Sequence, residues 1–119
     1  MLRNLTTGET LAQHVRLCDT FVARGRGLMF RRHLPADTAL VFAEGRESIV
    51  GASIHMLFVF FPIAVIWLDR RHQVVDCRLA HPFRPYYAPC QPAQYFIEGD
   101  PSLLARVQPG HVLEWETRG

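Results

Sequence analysis

A chain of 119 residues, 49% of them hydrophobic and 20% charged, can bury a core as one domain, residues 1–119, without disulfide or metal staples. Its formal net charge of +2 is too small to argue for nucleic acid, a membrane surface or another polyanion as partner. Three cysteines, Cys18, Cys77 and Cys90, show no paired spacing, which fits free thiols in a reducing compartment and not a disulfide scaffold.

The first sixteen residues contain no uninterrupted apolar stretch of the kind that drives secretion, so the expected location is the cytoplasm. Leu2 to Leu5 and Leu11 to Leu17 flank Thr6-Thr7-Gly8-Glu9, whose glycine permits a tight reversal, and the opening reads as a β-hairpin. Asp19 or Thr20 can cap a short helix in which Phe21, Val22, Leu28 and Met29 recur at near-helical spacing, ending at about Phe30. Gly25 and Gly27 weaken that helix and suit close backbone packing or an early stop. Pro35-Ala36-Asp37 reads as a turn, Thr38 to Ala43 as a short strand, and Glu44-Gly45-Arg46-Glu47 as another turn.

The stretch from Ile49 to Leu68 carries no formal charge and much of the aromatic mass. About twenty apolar residues are enough to cross a bilayer as a helix. Pro62 would remove an interior helical hydrogen bond, and His55 would lack a polar partner in lipid, so a span is not expected. Its Ile, Val, Phe and Trp suit strands, Ser53 to Phe61 and Ile63 to Leu68, broken where Pro62 interrupts the ladder, although a buried helix shares such a pattern.

Asp69-Arg70-Arg71-His72 then reverses the chain into a strand from Gln73 to Leu79, a second hairpin. His81 to Pro92 holds Pro82, Pro85, Pro89 and Pro92 among Phe83, Tyr86 and Tyr87, which excludes both a helix and a central strand. A long ordered loop of this kind is where a site is best sought. Tyr95 to Glu98 reads as a strand, Asp100-Pro101 as the cap and first position of a helix through Leu103, Leu104 and Arg106, and Val112 to Trp115 as a last strand.

Taken in order, Arg26, Gly27-Leu28-Met29-Phe30-Arg31, Ser53-Ile54-His55-Met56, Pro62-Ile63, Trp67-Leu68-Asp69, Pro82-Phe83-Arg84 and Ile97-Glu98 resemble the domain-of-unknown-function 192 family over nearly the whole chain. The resemblance implies a mainly β fold, a single compact sandwich or barrel of jelly-roll-like topology with one or two short helices. It implies no activity, cofactor or catalytic residue. The chain departs from the family pattern at the Asp69 turn, which lacks a following glycine, at Ala64, where an acid is common, and at Gly99-Asp100-Pro101-Ser102. Many members also look exported, whereas this chain does not.

Three side-chain groups carry candidate chemistry. Arg24, Arg26, Arg31 and Arg32 with His33 could bind a carboxylate or phosphate, because guanidinium groups do so bidentately. The structural alternative pairs Arg26 or Arg31 with an acid such as Asp69 or Glu98. A lone histidine among apolar residues, such as His55, is usually a satisfied core residue; with Arg84 and Tyr86 or Tyr87 it could instead form the polar end of a pocket for a small anionic or polar ligand. Cys77, His81 and Cys90 could ligate a metal, but no Cys-x-x-Cys, His-x-His or His-Glu-x-x-His accompanies them, and no cofactor is expected. No nucleophile motif or phosphate-binding glycine loop is present either.

The sequence thus predicts a binding or accessory module whose candidate site residues are Arg26, Arg31, His55, Arg84 and Tyr86. A small enzyme using His55 as acid or base with Arg84 as clamp, and a protein-interaction domain, are the alternatives.

Overall fold

The computed structural model of the chain describes residues 1–18, 36–54, 56, 59–84 and 86–116. The helix expected between residues 21 and 30, and the arginine group from residue 24 to 33, lie outside them. The described residues form eight strands in two sheets: β1 (Leu2–Asn4), β2 (Thr10–Ala12), β3 (His14–Leu17), β4 (Thr38–Ser48), β5 (Ile63–Leu68), β6 (Val74–Ala80), β7 (Ala93–Gly99) and β8 (Leu113–Trp115). A 3-10 helix, Pro101–Ala105, lies between β7 and β8. The expectation of a mainly β fold is met, and no described helix is long and apolar enough to cross a membrane.

β5 organises the molecule. All six of its residues are buried, because each face of its sheet carries its own apolar layer. Ile63, Val65 and Trp67 point into the first layer with Leu40, Phe42 and Phe96. Ala64, Ile66 and Leu68 point into the second with Val41, Ile97 and Leu103. Successive side chains of a strand alternate between faces, so a strand covered on both sides shows an unbroken apolar run. That sheet runs β3-β4-β7-β5-β6, parallel only between β3 and β4. The smaller sheet, β2-β1-β8, and the 3-10 helix cover its second layer through Leu2, Leu11, Leu103 and Leu113.

Both hairpins form. β1 pairs with β2, and β5 with β6 across the Asp69–His72 turn, where Asp69 Oδ1 accepts from the Arg71 and Gln73 amides at 2.8 and 3.0 Å. At Gln13 the chain leaves the first hairpin, and β3 joins the larger sheet. The helix after Asp100 forms in its tighter 3-10 version: the Asp100 side chain accepts from the Ser102 amide at 2.8 Å, and Pro101 opens the turn.

Two expectations are corrected. Glu44-Gly45-Arg46-Glu47 is not a turn but part of β4, which pairs with β7 up to Ala43, loses register, and pairs again at Ser48 with Ala93. Gly45, Arg46 and Glu47 are exposed in that irregular stretch, and their polarity imitates a reversal. The described residues between 53 and 61 are not assigned to a strand either: Ile54 makes an isolated bridge, to Tyr87. The backbone facing it is the proline-rich loop, and prolines have no N–H with which to extend a ladder. Ala52, Ile54, Met56 and Val59 are nonetheless buried and complete the first layer.

Candidate functional site

The loop from His81 to Pro92 is irregular, as expected, and it is held along much of its length. Ile54 and Tyr87 exchange two backbone hydrogen bonds at 2.8 and 2.9 Å. The Met56 amide donates to Arg84 O and the Phe83 amide to Met56 O, both at 2.7 Å. The buried Tyr87 reaches back so that its hydroxyl accepts from the His81 amide at 2.8 Å. At the far end the Cys90 amide donates to Asp76 Oδ2 at 3.0 Å.

These anchors use the loop's backbone and leave its side chains outside. Phe83 is 49% exposed and Tyr86 58%, with the exposed Arg84 between them. Phe60, also 49% exposed, meets Phe83 edge to face with ring centroids 5.4 Å apart. Phe83 has φ of +65°, a left-handed conformation that costs a bulky residue of order 1–3 kcal/mol and that persists where surrounding bonds impose it. Here the Phe83 amide bond to Met56 imposes it. Arg84 makes no ion pair with a described acid, so its guanidinium remains available for a carboxylate or phosphate.

Of the residues the sequence singles out, Arg84 and Tyr86 are both exposed on this loop. Arg26, Arg31 and His55 lie outside the described residues. Cys77, His81 and Cys90 do not gather. Cys77 packs against the second layer, with its thiol pushed up by burial and by the Asp76 carboxylate, whereas Cys90 is exposed and its Sγ lies 3.6 Å from Val75 O. Among the described residues no three potential metal ligands cluster.

Glu98 acquires a prominence that sequence reasoning did not give it. It sits in β7 opposite Leu40 on β4 and Val65 on β5, only 8% exposed, on the face of the first apolar layer. Its carboxyl makes no hydrogen bond or ion pair with a described residue, and burial raises its pKa to about 7. Alternation was the available signal: Phe96 and Glu98 share a parity, so a strand buried on both faces must bury Glu98 too.

The family model of DUF192, described as an uncharacterized ACR, matches residues 3–115. The chain belongs to the DUF192 family. A UPF0127 protein of Thermococcus gammatolerans is 40% identical over 98% of this chain and 75% of its own length. One of Pyrococcus horikoshii is 39% identical over 98% of this chain and 100% of its own. A solved structure from Novosphingobium aromaticivorans, a protein of unknown function, superposes with a TM-score of 0.83 at 23% identity, covering 96% of this chain and 82% of that one. The last likeness is one of fold. The DUF192 resemblance read from Arg26 to Glu98 is thus borne out, and with it the mainly β architecture.

Proposed function

We propose that this DUF192 chain is a single-domain, cytoplasmic binding or accessory module that takes a small anionic or polar ligand on the proline loop. Arg84 supplies the charge-assisted hydrogen bonds, and Phe83, Tyr86 and Phe60 supply planar apolar contact beside it. The observation that carries this reading is the division of labour in the loop: its amides and carbonyls are bonded inward to Ile54, Met56 and Asp76, while Phe83, Arg84 and Tyr86 face solvent. A site held in place before binding loses less entropy on binding. His55, Arg26 and Arg31 remain candidate contributors to the same ligand.

A thermal-shift screen with benzoate, inorganic phosphate and a panel of metabolite carboxylates tests it, because a ligand selective for the folded chain raises the melting temperature by mass action. The shift is expected to vanish in Arg84→Ala and to survive in Arg71→Ala, which alters an exposed arginine of the β5–β6 turn. Equal shifts in both variants would remove the site from the loop. The exposed Phe60–Phe83 pair also supports docking of a protein partner. In that case no small ligand scores, and Phe60→Ser abolishes complex formation.

A further inference from the structure

On the face of the first apolar layer the sheet carries a buried glutamate, Glu98, near the end of β7. Glu98 lies in the middle strand of the five, flanked by Leu40 and Val65, and is more than nine-tenths buried without a bonded partner among the described residues. The proposed ligand site does not use it. A neutral carboxyl tolerates such surroundings, but a carboxylate there needs either water or a cation.

No cation is adjacent in the sheet. The residues in register with Glu98 two strands away on either side are Arg16, opposite Leu40, and Arg78, opposite Val65, and both are exposed. His14 lies further along β3, opposite Thr38, and Asp76 lies on β6, opposite Trp67, where it receives the Cys90 amide. Glu44, on β4, has its Oε1 buried and its Oε2 beside Gly51, and the Tyr87 hydroxyl is engaged by the His81 amide. From β5 and from the described part of segment 52–61, the groups packed on this layer, from Ala52, Ile54 and Met56 to Val65 and Trp67, do not titrate, and Cys18, following β3, packs against it with its thiol.

We infer that Glu98 is a proton-operated latch: protonated, it stays packed in the first apolar layer, and on losing its proton to solvent it draws water in and loosens that layer. The layer is also the seat of the proline loop, since Ile54, Met56 and Tyr87 belong to it. Ionisation of Glu98 therefore loosens the platform that carries Arg84. Burial raises the Glu98 pKa to about 7, which places the transition near neutral pH.

Trp67 reports on the layer, being fully buried in it, and Trp115→Phe removes the other tryptophan of the chain. In the Trp115→Phe background, Trp67 emission followed from pH 5 to 9 is expected to shift to the red with a midpoint near 7, and the shift is expected to be lost in Trp115→Phe/Glu98→Gln. A parent with no shift, or a shift retained in Glu98→Gln, would overturn the inference. If the double variant fails to fold, carbon-detected NMR of the Glu98 carboxyl in the parent decides. A midpoint near 7 supports the latch, and one at the ordinary glutamate value of 4.5 overturns it.

Discussion

Ile54 and Tyr87, 33 residues apart by their numbers, face each other antiparallel and bond through both peptide groups, N–H to O at 2.8 and 2.9 Å. This bridge fastens an irregular apolar segment to an irregular proline loop, and it explains how a surface without strand structure is held still. Irregular backbone survives inside a fold only when its polar groups find partners. Here each of the two segments supplies partners for the other.

The side chain of Tyr87 extends the same fastening. Tyr87→Phe removes the oxygen that accepts from the His81 amide while keeping the ring in the first layer. A loss of about 1–2 kcal/mol in urea unfolding is expected, with faster hydrogen exchange from residue 81 to 84. Unchanged exchange there would show that the hydroxyl does not hold the loop.

Asn4 performs an analogous task in the smaller sheet. Fully buried, it donates to Arg106 O and to His111 Nδ1 at 3.1 and 3.0 Å, and its Oδ1 accepts from the Thr6 and Thr7 amides. Asn4→Ala leaves all four partners without it, and a destabilisation of about 2–4 kcal/mol by denaturant titration is expected. A change within about 0.5 kcal/mol, the range usual for surface substitutions, would contradict that role.

Gly99 is small for the sake of the 3-10 helix. A Cβ built there would lie 2.5 Å from Leu103 Cδ1, a buried side chain of the second layer. Gly99→Ala is expected to cost about 1–3 kcal/mol by overpacking. In the Leu103→Ala background its cost should largely disappear, and additive effects in that double-mutant cycle would show that the two positions do not compete for space.

Glu98 makes stability depend on pH in a direction opposite to the usual carboxylate. Burial raises its folded-state pKa from 4.5 to about 7, so the folded chain binds the proton more tightly than the unfolded one. Its contribution is therefore fully present below pH 4.5 and is lost as pH rises through about 7. The total loss is about 3 kcal/mol at 1.36 kcal/mol per pKa unit. Urea titrations at pH 5 and 8 should show this fall in the parent and a much smaller one in Glu98→Gln.

Much of the fold was legible because particular residues left few choices. Thr6-Thr7-Gly8-Glu9 marked the first reversal, Asp69 to His72 the second, and Asp100-Pro101 the capped turn of helix. Pattern reading failed where tertiary pairing decided the outcome. Gly45, Arg46 and Glu47 look like a turn but continue β4, because β7 resumes pairing at Ser48. Residues 53–61 look like a strand, but the backbone opposite them is rich in proline. For the site, the prolines and aromatics pointed to the loop, and Arg84 and Tyr86 are on it. Glu98 was read only as a structural acid, since no periodicity reveals whether a buried carboxyl finds a partner.

The most direct test of the loop as a ligand site is an amide-resolved NMR titration of the chain with benzoate, followed by inorganic phosphate. The account predicts saturable shifts concentrated at Phe83, Arg84 and Tyr86 and at their backbone partner Met56, and their disappearance in Arg84→Ala. Shifts confined to other arginines, such as Arg70 and Arg71, or none at millimolar probe, would contradict it.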